Sequence, residues 1–335
     1  MSSHPYYRLQ LPHGASFELK PSQGKGWGAF ATSRIERGSI ILRERALFVI
    51  RDSSPEVIEN CIVAAACQLS PNQKAQLLLL RDNGSKEFAN MLHMLAENSF
   101  SSTNEPPDHG LFVLASRFNH SCLPNAMIPS TRADAIELYA TKDIEAGEEI
   151  YFCYSSDLKA QTKYERHEYL DFSCDCKACM PGTPFQELSD LRRRLIRGLL
   201  YILRGVDLDG KIQTSQSPVI VDPELKAAAE TRNIPLTSRM VLHLLIVVFL
   251  EEEGLLDDWG VEILERGVIK PVALFLSTHN HQIGELALAQ DAWTKKLEVV
   301  FQLYGRKDPA DDMITQMFQR ASQAYAGGRP MPAWS

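Results

Sequence analysis

Three cysteines crowd together near the middle of the chain, as Cys174, Cys176 and Cys179. In a reducing compartment a cluster with this spacing is more typical of a metal site than of disulfide bonds. A closed structural zinc site needs four ligands, usually cysteine or histidine. The fold must therefore supply a fourth ligand from elsewhere in the chain.

The residue pattern leaves the fourth ligand open. The candidates are several histidines and the remaining cysteines, which are Cys61, Cys67, Cys122 and Cys153. Cys61 and Cys67 lie on an apolar run with helical spacing, where a free cysteine is usually a small core residue. Four thiolates would close the site, so its predicted role is structural and not catalytic.

Length and composition predict a globular chain of about two domains. The 335 residues are 44% hydrophobic and 23% charged, and the net charge of −7 argues against a strongly basic nucleic-acid binder. The most apolar stretch, Met240 to Leu250, is shorter than the roughly 20 residues of a membrane span. No secretory signal is recognised at residues 1–10. We therefore expect an intracellular protein, cytoplasmic and/or nuclear, with no membrane contact and no direct nucleic-acid binding.

The predicted elements run from strands to helices along the chain. Alternating apolar residues and turn residues predict short strands over residues 1 to about 50 and 111 to 154. Apolar residues at helical spacing predict a helical insert between them, at about 51–105. Further helices are predicted at 191–203, 240–256, 261–276, 283–304 and 313–325. The order indicates an α+β chain, with a β-rich catalytic domain before a helical one.

A glycine-rich turn precedes one of the first predicted strands. Gly24, Gly26 and Gly28 alternate there with Lys25 and Trp27. Glycine lets the backbone approach a ligand closely and adopt positive φ. The dinucleotide fingerprint has another spacing and a following helix, and no phosphate loop is present. A ligand-binding turn and a plain β-turn both remain open.

Two later segments combine polar and aromatic residues. Residues 117–125 read Arg-Phe-Asn-His-Ser-Cys-Leu-Pro-Asn, and their turn-forming residues predict a loop. A solvated loop is one interpretation and a catalytic pair of Cys122 and His120 is another, although adjacency in sequence does not place a base for a thiolate. Residues 145–154 form an acidic turn that leads into an aromatic strand ending at Tyr154. A half-buried strand anchored by its tyrosines is the alternative there.

Taken together and in this order, these elements resemble the SET-domain methyltransferases. The resemblance covers roughly residues 15–182, interrupted by the insert, and rests on Asn119-His-Ser-Cys-x-Pro-Asn125, Gly147-Glu-Glu-Ile-x-x-x-Tyr154 and Cys-x-Cys-x-x-Cys. It implies a SET β-fold over 1–164, a zinc-binding post-SET segment over 165–184 and a C-terminal all-α domain over 185–335. It also implies a pseudoknot of the asparagine–histidine segment and the tyrosine strand, which the usual rule against threaded connections does not predict.

The resemblance implies a cofactor, S-adenosylmethionine, and residues that hold it. Lys25, Gly26 and Trp27 match the turn that holds its methionine part and flank. Asn119 and His120 match the segment whose side chain and backbone bind it.

Three further roles come from the resemblance. Tyr154 matches the tyrosine beside the transferring methyl, which makes it the candidate catalytic residue and a cofactor contact. Phe172 matches an aromatic residue that packs on the adenine and closes the lysine channel. Cys122 matches the cysteine that joins the trio on structural Zn²⁺.

The chain also departs from its relatives. The insert contains two cysteines, Cys61 and Cys67, so the MYND zinc finger of the SET-and-MYND subfamily is expected to be absent. Leu170 and Asp171 stand where relatives often place a channel aromatic, so the resemblance does not imply how many methyl groups are added.

The predicted function is transfer of a methyl group to an amine, with a lysine of a protein or peptide as the expected acceptor. The amine must be neutral, and a lysine pKa near 10.4 makes its deprotonation at neutral pH cost about 4–5 kcal/mol. An apolar channel beside a cationic sulfonium favours the neutral amine. One alternative is a SET-fold enzyme with a small-molecule substrate, and another is a catalytically silent SET module that binds partners.

Overall fold

Small β-sheets occupy the first part of the structure, a computed structural model that describes residues 4–51, 58–82, 84–102, 107–128, 133–213, 219–220, 222–234 and 236–255. The strands are β1 (Phe17–Ser22), β2 (Gly26–Ala31), β3 (Ile40–Arg45), β4 (Phe48–Ile50), β5 (Ser99–Ser101), β6 (His109–Leu111), β7 (Asn119–His120), β8 (Ala126–Met127), β9 (Ala135–Ala140) and β10 (Tyr151–Phe152). They form an antiparallel β1–β2 hairpin, sheets of order β3-β9-β8 and β4-β6-β5, and a parallel β7–β10 pair.

The alternation of side chains along the strands builds the core. In β9, Ile136, Leu138 and Ala140 are buried and the residues between them are partly exposed. They belong to one apolar cluster with Phe17 and Phe118, whose ring centroids lie 5.0 Å apart. Burying a large apolar side chain contributes roughly 1.5–3 kcal/mol, so this cluster is the main stabilising element of the sheets.

The insert predicted at about 51–105 contains three described helices, and strand β5 lies near its end. Its helices are α1 (Ile58–Gln68), α2 (Pro71–Leu77) and α3 (Met91–Asn98). At the start of α2, the Ser70 hydroxyl accepts from Gln73 N at 3.3 Å and the Gln73 side chain accepts from Ser70 N at 3.0 Å. This capping box satisfies backbone N–H groups that the first helical turn leaves without partners. Asn90 caps α3 by accepting from His93 N at 2.8 Å.

Hydrogen bonds connect the insert to the N-terminal segment and to the residues before β7. The Tyr6 hydroxyl donates to Arg81 O at 2.8 Å and accepts from Arg81 N at 3.0 Å. The guanidinium of Arg117 donates to the Tyr6 hydroxyl and to Asn98 Oδ1 at the end of α3. Arg117 lies two residues before Asn119, so these contacts hold the insert against the chain that leads into β7.

Among the described residues, those up to Tyr154 form one compact unit and those from Ser155 to Leu255 form a second. The helices of the second unit are α4 (Lys163–Leu170), α5 (Pro184–Arg204), α6 (Pro223–Glu230) and α7 (Leu236–Glu252). In the described residues, none of the helices is both long and apolar enough to cross a membrane. The helices predicted at 261–276, 283–304 and 313–325 lie outside the described residues, and the predicted domain limits at 164 and 184 stay predictions.

A buried arginine joins elements of the second unit. Arg193 on α5 is fully buried and donates to Leu158 O at 2.8 Å and to Glu253 Oε2 at 3.3 Å. Ser189, one turn earlier, donates to the same carboxylate. A buried charge is costly unless it is paired and hydrogen-bonded. This network therefore fixes α5 to Glu253, the residue that follows α7.

Within the first unit, the carboxylate of Glu44 fixes the turn that leads to β7. It accepts from three successive backbone N–H groups, those of Val113, Leu114 and Ala115, at 2.8, 2.9 and 2.7 Å. A short 3-10 helix at Ala115–Arg117 follows directly. Glu44 therefore sets the path of the chain just before Asn119.

We predict that Glu44→Gln lowers the free energy of unfolding by about 1–2 kcal/mol, since the amide turns an NH₂ group toward N–H donors that a carboxylate oxygen accepted. Urea denaturation monitored by circular dichroism measures this loss. Glu137→Gln is the matched control, because Glu137 is 43% exposed and pairs with Arg43 at the surface. The control should change stability by less than about 0.5 kcal/mol. Equal effects of the two substitutions would contradict the role of Glu44.

Candidate functional site

The turn between β1 and β2 uses glycines in the left-handed region. Gly24 and Gly26 both have φ of +74°, a conformation that a side chain disfavours. Lys25 N donates to Ser22 O at 3.2 Å, and the Lys25 ammonium lies 5.2 Å from the centroid of the Tyr151 ring. The glycine turn is thus a hairpin turn, and it brings Lys25 beside Tyr151 of β10.

Trp27 presents its two parts to different neighbours. Its ring stacks on His4 with centroids 4.2 Å apart and makes edge contacts with Tyr6 and Tyr7 at 5.6 and 5.0 Å. Its backbone carbonyl accepts from Asn119 Nδ2 at 3.1 Å. The main chain of Trp27 therefore faces the predicted cofactor segment, while the N-terminal segment holds its side chain.

The parallel pair of β7 and β10 brings together the two motifs that the sequence singled out. Asn119 lies opposite Tyr151, and His120 lies opposite Phe152. Ser121 N extends the pairing by donating to Phe152 O at 3.1 Å. This is the pairing that the predicted knot requires, whereas the threading itself stays a prediction.

Asn125 reinforces this short pair through its side chain. Its Nδ2 donates to Glu149 O at 2.9 Å, and its Oδ1 accepts from Tyr151 N at 2.7 Å. The amide thus bonds the carbonyl before Ile150 and the N–H after it, as a residue of a neighbouring strand would. The second asparagine of the 119–125 motif therefore adds side-chain hydrogen bonds at the start of a strand that pairs with β7 over two residues.

His120 links the parallel pair to Tyr154 and Cys122. It is 3% exposed, and its Nδ1 accepts from Tyr154 N at 3.2 Å. A neutral imidazole that accepts at Nδ1 carries its hydrogen on Nε2, which lies 3.3 Å from Cys122 Sγ. In that tautomer Nε2 donates to sulfur and does not take a proton from it, so the geometry does not favour a catalytic Cys–His pair.

The hydroxyl of Tyr154 lies at the inner end of a residue that is 46% exposed. It donates to Phe118 O at 3.4 Å, and the ring centroids of Tyr154 and His120 are 5.0 Å apart. Burial raises the pKa of Tyr154 to about 12, and the positive charge of Arg117 opposes this rise. The side chain is therefore a neutral phenol near pH 7, which can donate a hydrogen bond but is not a base.

Four cysteine sulfur atoms cluster together, those of Cys122, Cys174, Cys176 and Cys179, all within 4.8 Å of one another. Zinc–thiolate bonds of about 2.3 Å in a tetrahedron place sulfur atoms about 3.8 Å apart. The cluster therefore has the spacing of a four-thiolate metal site. Cys122 is the fourth member, as the resemblance implied.

A buried arginine contacts this cysteine cluster. The fully buried Arg166 donates from Nη2 to Cys179 Sγ at 3.2 Å and to Ala178 O at 2.8 Å. Its Nη1 donates to Gln161 O at 2.6 Å. A buried cation at this distance stabilises negative charge on sulfur, which suits thiolate ligands.

Phe172 lies between α4 and Cys174, in the second unit, and is 44% exposed. The preceding residue, Asp171, ends α4 in the left-handed conformation with φ of 56°. The ring of Phe172 is accessible, and its contact with adenine stays a prediction.

Sequence reasoning missed Glu149 as a site residue. One carboxylate oxygen accepts from Asn119 Nδ2 at 2.7 Å, and the other accepts from the hydroxyls of Ser22 and Tyr151 at 2.7 and 2.6 Å. The neighbouring Glu148 is exposed. Strand alternation was the available signal, since residues next to each other in an extended chain point to opposite sides.

Comparisons with known proteins agree with the resemblance. Residues 26–155 match the SET domain family. Histone-lysine N-methyltransferase set5 of Schizosaccharomyces pombe is 29% identical over 184 residues, which cover 53% of this chain and 55% of that protein. Protein-lysine N-trimethyltransferase SMYD5 of Mus musculus is 30% identical over 121 residues, 34% of this chain and 27% of its own.

A solved structure described as a Plasmodium falciparum putative histone methyltransferase aligns with 42% of this chain and 94% of its own, at 16% identity and a TM-score of 0.26. The chain spans about half the length of the Schizosaccharomyces pombe relative and about a quarter of the mouse one. The relatives are SET and SET-and-MYND methyltransferases, and residues 26–155 of this chain are a SET domain.

Proposed function

We propose that this chain is an S-adenosylmethionine-dependent protein-lysine N-methyltransferase. The observation that carries the proposal is the convergence of the glycine turn, Asn119, His120 and Tyr154 within one SET domain. Relatives named as histone-lysine and protein-lysine methyltransferases support lysine as the acceptor. The substrate class is accordingly a protein or peptide that presents a lysine side chain.

The residues of the first unit fit the proposed cofactor. Lys25, Gly26, Trp27, Asn119 and His120 are proposed to hold S-adenosylmethionine, which supplies a methyl group on a positively charged sulfur. A Cβ placed on Gly24 would meet nothing within 4 Å, so the turn has open space beside it. An adjacent glycine turn and asparagine amide offer backbone and side-chain polar groups to the methionine part. Phe172 is proposed as an adenine contact on the resemblance alone.

Tyr154 is the proposed catalytic residue, with a role in orientation. Because its pKa is about 12, its hydroxyl keeps its proton across the neutral range. It can therefore hold the methyl-bearing sulfur and the incoming amine in line and tune the local field, while the amine loses its proton before transfer. Alignment of the reacting atoms is a large part of the rate enhancement for a direct displacement.

The cysteine cluster is proposed to bind one structural Zn²⁺, which makes residues 165–184 a post-SET segment. The sulfur spacing and the buried Arg166 beside Cys179 support this assignment. Four thiolates leave no open coordination position, so the metal would stabilise the fold without taking part in methyl transfer. A C-terminal helical domain over 185–335 and a cytoplasmic and/or nuclear location belong to the same proposal.

Purified protein incubated with methyl-labelled S-adenosylmethionine and a cell extract should place label in the protein fraction, as methyllysine after hydrolysis. Asn119→Ala should reduce the transfer by at least about tenfold at limiting cofactor, as expected when a hydrogen bond to a charged group is lost. Label confined to small molecules would favour the small-molecule alternative. Absence of cofactor binding in calorimetry would instead indicate a silent module.

Tyr154→Phe should lower kcat by at least about tenfold and change the Kd for the cofactor by less than about threefold, because the hydroxyl acts on the transition state and not on binding. Tyr164→Phe is the control, since Tyr164 is 70% exposed, and it should match the wild type. The pKa of about 12 predicts that the wild-type pH–rate profile has no limb from Tyr154 between pH 6 and 10. A Tyr154→Phe protein with full turnover would remove the assignment.

Metal analysis of protein purified without chelators should give about one zinc per chain, as a four-thiolate site predicts. Cys122→Ser should reduce both the zinc content and the thermal stability. Cys67→Ser is the control, because Cys67 is exposed and outside the cluster, and it should retain the metal. Less than about half an equivalent in the wild type, with Cys122→Ser unchanged in stability, would refute the metal site.

A further inference from the structure

The carboxylate of Glu149 connects three elements of the first unit. It accepts from Ser22 on β1, from the Asn119 amide on β7 and from the Tyr151 hydroxyl on β10, all at 2.6–2.7 Å. A carboxylate offers acceptors alone, so each of these contacts requires a donor on the other residue. The geometry therefore determines which groups face Glu149.

This requirement fixes the orientation of the Asn119 side chain. Its neighbours on one side are Trp27 O at 3.1 Å and Glu149 Oε1 at 2.7 Å, both acceptors. The amide nitrogen, with its two hydrogens, satisfies both, whereas a flipped amide would set its oxygen against two other oxygens. The carbonyl oxygen Oδ1 therefore occupies the other side of the amide, where no hydrogen bond to another described residue is recorded.

Gly28 makes room for this arrangement. A Cβ at position 28 would lie 2.2 Å from Glu149 Oε1 and 2.9 Å from Asn119 Nδ2. The φ of Gly28 does not lie in the left-handed region, so the backbone itself does not require glycine. The lack of a side chain at position 28 serves the close approach of Glu149 and Asn119 to β2.

We propose that Glu149 is a positioning residue for cofactor binding, which holds the Asn119 amide so that Oδ1 accepts from the ammonium group of the methionine part. The proposal rests on the function proposed above. Glu149 acts through Asn119 and does not touch the cofactor. Its contribution therefore lies in the affinity for S-adenosylmethionine and in KM, and not in kcat.

Calorimetry with S-adenosylmethionine on the full chain compares three variants. Glu149→Ala should weaken binding by about tenfold, because the amide loses the partner that orients it. Glu149→Gln should stay within about threefold of the wild type, since its carbonyl can accept from Asn119 and its NH₂ can donate to both hydroxyls. Glu148→Gln is the matched control on the neighbouring exposed residue and should bind normally. A Gln variant as weak as the Ala variant would overturn the orienting role.

A double-mutant cycle separates action through Asn119 from a general loss of structure. In an Asn119→Ala background, Glu149→Ala should produce no further loss of affinity, because the group that it orients is gone. An equal tenfold loss in both backgrounds would overturn the proposal. If the wild type itself does not bind S-adenosylmethionine, the proposed function fails before the variants are compared. If it binds, the cycle decides on Glu149 alone.

Tyr151→Phe provides a milder variant in case Glu149→Ala does not fold. It keeps the ring beside Lys25 and removes one of the two hydroxyl donors to Glu149 Oε2. We expect an affinity loss of about two- to threefold with an unchanged kcat, and none in the Asn119→Ala background. A loss that persists in that background would count against a pathway through the amide.

Discussion

The parallel pairing of the two-residue strands β7 and β10 holds the candidate site together. Asn119 and His120 lie on β7, and Tyr154 follows β10 by two residues. So short a pair forms few backbone hydrogen bonds and is not expected to be stable alone. Its stability must come from contacts around it, above all from the side chain of Asn125 and the apolar core beneath Phe152.

Polar side chains therefore supply many of the backbone hydrogen bonds that neighbouring strands supply in larger sheets. Glu44 accepts hydrogen bonds from three successive N–H groups before β7, and the Asn125 amide bonds Glu149 O and Tyr151 N at the start of β10. Half-buried backbone groups must find partners, and in a fold of short strands many partners are side chains. The cost is that each such residue is hard to replace, because its removal leaves donors or acceptors without partners.

The sequence predicted those features that depend on local pattern or on a family motif. The strands before residue 50, the helical insert and the amphipathic helix α5 follow from apolar spacing, and Cys122 follows from the resemblance. Glu149 and Gly28 could not be identified in this way. Their importance comes from a contact between residues that are 121 positions apart, and neither spacing nor composition encodes such proximity. The sequence assigned the whole of Trp27 to the cofactor turn. It did not indicate that the carbonyl of Trp27 bonds Asn119 while the ring stacks on His4.

The ties between the insert and the rest of the first unit affect how such chains can diversify. One hydrogen-bonded set joins the N-terminal segment, the insert and the chain just before Asn119. It consists of Tyr6, Arg81, Asn98 and Arg117. An insert bound in this way cannot be exchanged for another segment without changes elsewhere in the unit. Grafting another module between β4 and β5 would leave the guanidinium of Arg117 without its amide partner, so recombination at this point must bring a replacement for Asn98 or alter Arg117 at the same time.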